Sequence, residues 1–180
     1  MQQTAVPQGR PRVFVDTNII LEAVRTGCWM ALTTTFSIET VEKCIEEALT
    51  GDPNDPRYVY VPPEVLNSGL VARHTVNKRA IARFALSHPA SAGLDDGELH
   101  LLAWLHEHGK PGTIRLLLST ADKAAIVAAG RMELLDILVS LEQLAQQSGV
   151  SRSQLDQMAR HYRHAWLEEI KVKVRLGIIP

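Results

Sequence analysis

The chain has 180 residues, 46% of them hydrophobic, with 19 Lys and Arg against 20 Asp and Glu. That is the length of one domain and enough apolar material for a core needing no disulfide or structural metal, which excludes a disordered chain. A formal net charge of −1 excludes a polybasic or histone-like protein, so any contact with nucleic acid must rest on local basic patches. Cys28 and Cys44 are too far apart for a CxxC pair and fit a reducing, cytoplasmic setting. Residues 1–12 carry no apolar signal core and read as a flexible polar arm. No apolar run approaches the roughly 18–20 residues that span a bilayer, so no membrane partner is expected.

Val13-Phe14-Val15 predicts a short buried strand closed by Asp16-Thr17-Asn18. Ile19, Ile20, Ala23 and Val24 keep a helical period that Thr17 or Asn18 can cap. Ala31 to Thr35 is a weak strand candidate. Ile38, Val41, Ile45 and Leu49 form a stripe that predicts a helix over 37–49. Gly51 to Pro56 is a turn-rich loop in which Asp52 and Asp55 act as turn residues, and Tyr58 to Val61 is an extended piece. Residues 63–88 read as one or two helices broken near Asn67-Ser68-Gly69. A further helix opens at Leu94-Asp95-Asp96-Gly97-Glu98 and ends near Gly109 and Pro111. Ile114 to Leu118 predicts a strand, followed by a helix to about Ala129. Residues 134–148 read as mostly helical with a short strand at their start, and one last amphipathic helix runs from Ser151 to about Val174, with Ser153 as its cap. Strands alternating with helices predict an α/β layered fold on a mainly parallel sheet.

The chemistry lies in where the acids fall. Asp16 directly follows one apolar strand and Asp122 lies just past another, so both should reach the carboxyl edge of a parallel sheet, where ligands bind. Glu98 sits in the first turn of a helix, with Asp95 three residues before it, and Glu39 and Glu42 share the same spacing. Two carboxylates about 4 Å apart repel by roughly 4 kcal/mol at an effective dielectric of 20, so a cluster needs protons or a divalent cation. An all-oxygen set suits Mg²⁺ or Mn²⁺ rather than zinc, and such ions serve phosphodiester hydrolysis.

Val13-Phe14-Val15-Asp16-Thr17-Asn18 resembles the first motif of the PIN domain family, a hydrophobic strand ending in Asp-Thr-Asn. Leu94-Asp95-Asp96-Gly97-Glu98, followed by Leu102-Ala103, resembles that family's third acidic motif, and Leu117-Leu118-Ser119-Thr120-Ala121-Asp122 resembles its last. The resemblance covers about residues 13–145. It implies a three-layer α/β/α PIN-like nuclease domain over 13–148 with a C-terminal helical extension, 149–180, packed on the core. It further implies a metal-dependent ribonuclease acting on single-stranded RNA, of the kind that includes the (VapC-like) toxins of type II toxin–antitoxin pairs. On this reading Asp16, Glu98 and Asp122 hold one or two Mg²⁺ or Mn²⁺ ions and Glu39 assists as the second acid, with Glu42 as its alternative. Thr17, Asn18 and Thr120 orient the acids or the phosphate, and Asp95 or Asp96 supplies an extra carboxylate. A protein antitoxin or regulator is a candidate partner and a homodimer a candidate assembly. Two other readings stay open: a catalytically degenerate PIN-like binding or regulatory module, and a phosphoryl-transfer enzyme with Asp16 as acceptor.

Arg73, Lys78, Arg79 and Arg83 stand in a stretch without acids, and Arg79 with Arg83 shares a helix face that could grip an RNA backbone. The final helix adds a second set of basic residues, Arg160, Arg163, Lys171, Lys173 and Arg175. Glu46, Glu47, Glu142, Glu168 and Glu169 read as surface acids on solvated helix faces. His106, His108, His161 and His164 lack zinc-motif spacing, and Trp104 and Trp166 read as core residues.

Overall fold

The computed structural model describes residues 9–109 and 116–179. The strand β1 (Arg12–Val15) pairs in parallel with β2 (Ser37–Val41) on one side and β4 (Leu117–Ser119) on the other, and β3 (Leu70–His74) lies outside β2. The order β3-β2-β1-β4 makes an all-parallel sheet with helices on both faces, a three-layer α/β/α fold. Ile114 and Arg115, part of the expected last strand, lie outside the described residues, as does Pro111.

Alternation along β1 divides the core in two. Val13 and Val15 face a cluster with Ile19 and Ile20 of α1 (Thr17–Arg25), Trp29 and Leu32 of α2 (Trp29–Thr35) and Leu141 and Leu144 of α8 (Leu141–Gln147). Phe14 faces the other cluster, with Phe84 of α5 (Lys78–Ser87), Leu102 and Leu105 of α6 (Asp96–His108), Ile126 of α7 (Lys123–Arg131), and Leu167 and Ile170 of α10 (His164–Arg175). Helix α3 (Glu42–Leu49) serves both sides, with Cys44 in one cluster and Ile45 and Ala48 in the other. Both Trp104 and Trp166 pack as partly buried residues against the second cluster.

Four stretches depart from the expected elements. Residues 29–35 are helical, because the hydroxyls of Thr33, Thr34 and Thr35 turn back to the carbonyls of Met30 and Ala31 at 2.8–3.1 Å instead of extending the chain. Residues 37–41 are a strand and only 42–49 a helix. The strand is buried on both faces, so Ile38 and Val41 mimicked a helical stripe. Residues 70–74 form the edge strand β3, after α4 (Pro63–Gly69). A Cβ at Gly69 would stand 2.7 Å from both Trp29 and Thr33, so glycine allows this close approach to α2.

The expected last helix is two. Ser151, not Ser153, caps α9 (Arg152–Asp156), and a 3₁₀ turn at Arg160–Tyr162 precedes α10. Buried Glu22 causes the break: it accepts from the Ala159 amide at 2.9 Å, while its partner Arg25 donates to the Gln157 carbonyl at 2.7 Å. Met158 and Tyr162 thereby reach the first core cluster and α10 the second. Residues 134–140 hold a 3₁₀ turn and a single parallel bridge, Leu118 to Leu138. Among the described residues no helix is long and apolar enough to cross a membrane.

Candidate functional site

The chain leaves β1 toward β2 on one side, and β4 flanks β1 on the other. The crevice at the carboxyl ends of β1 and β4 is therefore the topological switch point of the sheet, the place where open α/β sheets bind ligands. Asp16 ends β1 there. Its Oδ1 accepts from the Ile19 amide at 2.8 Å, so Asp16 itself, rather than Thr17 or Asn18, caps α1. The residue is 1% exposed, and its Oδ2 is buried with no hydrogen-bond partner among the described residues. Burial pushes the carboxyl up to about 6, against the pull of the Thr120 hydroxyl and the Ile19 amide, and Asp122 adds to the rise.

Asp122 follows β4 and caps α7 by accepting from the Ala125 amide at 2.9 Å, while its own amide donates to Thr120 Oγ1 at 3.2 Å. Glu98 comes from the first turn of α6. Its Oε2 accepts from the Asp95 amide at 3.4 Å, and its Oε1 is buried without a partner among the described residues. Burial, then Asp122, Asp16 and Asp95, push this carboxyl up to about 8. Three segments far apart in sequence thus bring Asp122 close enough to raise the proton affinity of Asp16, and both close enough to raise that of Glu98.

Glu47 joins them at the rim, a residue whose helical setting had suggested a solvated face. Its Oε2 accepts from the Thr17 hydroxyl at 2.6 Å and its Oε1 from the Gly97 amide at 2.9 Å, tying α3 to the starts of α1 and α6. A Cβ on residue 97 would fall 2.4 Å from Glu47 Oε2, so the glycine makes room for the carboxylate. A glycine in the first turn of a helix was the one available signal that something approaches closely there. The Cys44 thiol packs below, pushed up to about 12 mainly by burial. Beyond α1, burial and then Glu22 and Asp16 push the Tyr162 phenol upward.

Glu39, expected as the second acid, is elsewhere. It pairs in register with Phe14, two residues short of Asp16 on the neighbouring strand, or about 7 Å back from the edge. It is 1% exposed and closed by Arg12, whose Nη2 donates at 3.0 Å, and by His74 Nε2 at 2.8 Å. Burial alone would raise its carboxyl, but His74 and Arg12 hold it down at about 2. Its alternative, Glu42, is exposed on the first turn of α3. Asp95 caps α6 and is exposed, and Asp96 is exposed 3.7 Å from Lys43. Asn18 lies partly buried at the start of α1. Arg83 pairs at 3.0 Å with Glu107, nine residues along α6 from Glu98 and so about 13 Å down the helix axis, and Arg79 is exposed on the same α5.

No family model, curated protein or solved structure matches the chain. What the site can do must therefore follow from its own groups. Among the described residues, no three His, Cys, Asp or Glu side chains are gathered tightly enough to hold an ion as they stand. The donor set is nonetheless all carboxylate, and Asp16 Oδ2 and Glu98 Oε1 are buried without a hydrogen-bond partner among the described residues. Buried acceptors left this way call for a proton or a cation, and a hard divalent ion fits carboxylate oxygens.

Proposed function

We propose that this chain is a Mg²⁺- or Mn²⁺-dependent endoribonuclease that hydrolyses phosphodiester bonds of single-stranded RNA. The observation that supports this most is the pair of unpartnered buried oxygens, Asp16 Oδ2 and Glu98 Oε1, supplied by separate segments at the switch point of the sheet. These two and half-buried Asp122 would hold the ion, which when bound acidifies a water and stabilises charge on a phosphoryl oxygen. The chain's own part is to fix the donors. The Ile19 and Ala125 amides hold one oxygen each of Asp16 and Asp122, and Thr120 positions the Asp122 backbone. Glu47 locks the start of α6, which carries Glu98, against α1. The choice of RNA, and the narrower role of toxin with an antitoxin partner, rest on the motif resemblance.

The test is cleavage of an unstructured RNA by the full chain with Mn²⁺ or Mg²⁺ and with EDTA. Wild type should cut only with the metal, and Asp16→Asn and Glu98→Gln should each lose about a hundred-fold in rate. Equal cleavage by wild type and Asp16→Asn would remove the site. No cleavage by any form, with no effect of Mn²⁺ on thermal unfolding, would leave a binding module instead.

A further inference from the structure

We infer that a cavity beside the carboxylates receives one base of the single-stranded RNA. The inference rests on the nuclease reading for the position of the phosphate, but not for the chemistry of the cavity. The cavity has a volume of about 640 Å³; Asp16, Glu98 and Asp122 do not line it, and it comes nearest to them at Asn18, two residues past Asp16, and at Glu47, which is bonded to Thr17 and Gly97. Such a volume is within the range of small-molecule sites. Its other walls come from the 51–59 loop, which brings Tyr58, and the 159–162 turn, which brings His161 and Tyr162. Neither wall belongs to the motifs that carry the acids.

The arginines in the cavity are already paired, while its carboxylates keep lone pairs that can accept further hydrogen bonds. Arg25 meets both oxygens of Glu22 at 2.7 Å, and Arg57 meets Asp55 at 2.8 Å. Glu47 is held by Thr17 and Gly97, and Asp52 accepts from Asn54. A phosphate entering here would find no uncommitted arginine and four carboxylates. What remains outside these pairs is mostly flat. The exposed His161 ring lies 4.2 Å from that of Tyr162, which is buried in the first core cluster and backs it, Tyr58 faces the same space, and the Asn18 amide has no hydrogen-bond partner among the described residues. Aromatic faces accept stacked bases, and an amide reads a base edge. The surplus of carboxylate acceptors favours a base with an exocyclic amine, so adenine, cytosine and guanine should bind better than uracil.

The experiment has two arms on the full chain. In the first, adenosine, cytidine, guanosine and uridine, then their 5′-monophosphates, are titrated in EDTA and followed by NMR. The expected result is saturable binding, weakest for uridine and no tighter with the phosphate attached. Tyr58→Ala and His161→Ala should each weaken it about ten-fold or more, with thermal unfolding unchanged, and Asp16→Asn should keep it. In the second, cut sites are mapped on a random-sequence RNA with Mn²⁺. Wild type should disfavour uracil at one position beside the scissile bond, and Tyr58→Ala should lose that bias while still cutting. Metal-dependent cleavage without nucleoside binding or base bias would overturn this inference and spare the nuclease reading. Nucleoside binding without cleavage would overturn the assignment to RNA and leave a site for free nucleosides. Affinity unchanged in both Tyr58→Ala and His161→Ala, or binding of inorganic phosphate in competition with adenosine, would overturn it as well.

Discussion

The Thr17 hydroxyl donates to Glu47 Oε2 at 2.6 Å, while the other oxygen of that carboxylate takes the Gly97 amide at 2.9 Å. One acid on α3 therefore fixes the start of α1, which follows Asp16, against the start of α6, which carries Glu98. Alanine at position 97 should improve helix propensity by about 1 kcal/mol, as it does in an ordinary helix. Here its Cβ would lie 2.4 Å from Glu47 Oε2 and 3.0 Å from Thr17 Oγ1, so the carboxylate must leave. Gly97→Ala should instead destabilise by about 1–3 kcal/mol in urea unfolding, the cost of stranding a buried polar group. A gain in stability would show that Glu47 is not confined there.

Glu98 should make the metal-free protein less stable as pH rises. Folding lifts its carboxyl from 4.5 to about 8. Between those values the native state keeps a proton that the unfolded chain has lost, so stability falls with rising pH by up to roughly 1.4 kcal/mol per unit. Asp16, lifted from 3.8 to about 6, adds to the loss in the lower part of that window. Urea midpoints in EDTA from pH 5 to 9 should decline for wild type and much less for Glu98→Gln. A wild-type midpoint that stays level across this range would mean that Glu98 ionises freely in the fold.

Much of the candidate site was legible because its acids directly follow features that sequence displays well. Asp16 closes a β-branched and aromatic run, Asp122 follows a leucine-rich one, and Glu98 opens an apolar helix. A strand's polarity of direction then sends the first two to one edge. The layered α/β class followed from the same alternation. Glu39 misled because it lies within a strand buried on both faces, where an acid and a threonine hide the strand and Ile38 and Val41 imitate a helix. Its partners, Arg12 and His74, are 27 and 35 residues away, and nothing local announces them. The edge strand Leu70–His74 is defined by its pairing with β2 rather than by any alternation of its own. Likewise the kink at 157–163 exists because Glu22 and Arg25 capture its backbone from 132–137 residues away, which a continuous amphipathic pattern conceals.

Glu39 should matter for stability and not for the chemistry at the carboxyl edge. Its buried carboxylate is held by Arg12, 37% exposed, and by His74, so removing it takes away their shared acceptor while Arg12 can still reach water. Glu39→Ala should cost about 1–3 kcal/mol in unfolding, and Glu39→Gln somewhat less. Because folding lowers this carboxyl from 4.5 to about 2, its contribution is complete above the unfolded value and is lost as pH falls through about 2. Wild type should therefore lose part of its stability between about pH 4.5 and 2, and Glu39→Gln should lack that share. Where Glu39→Gln folds, its Mn²⁺-dependent cleavage rate should stay near wild type. A hundred-fold loss in a folded variant would return Glu39 to the site.

Divalent metal and protons should compete for the same oxygens. Carboxylates must ionise to bind a cation, so affinity grows with pH until Glu98 has lost its proton near 8. Mn²⁺ at about a hundred times its dissociation constant would add roughly 2.7 kcal/mol, which in a domain of this size is a rise of about 5–10 °C in Tm. That rise should be large at pH 8, where about half of Glu98 is ionised, and small at pH 5.5, where Glu98 is protonated and Asp16 partly so. Asp16→Asn should abolish it at both values, because the amide offers a neutral oxygen in place of a charged one. Glu42→Gln, which alters an exposed acid outside the cluster, should leave it intact. Differential scanning fluorimetry at the two pH values checks all of these, and a Mn²⁺ shift that is the same at pH 5.5 and 8, or that survives Asp16→Asn, would place the ion on other groups.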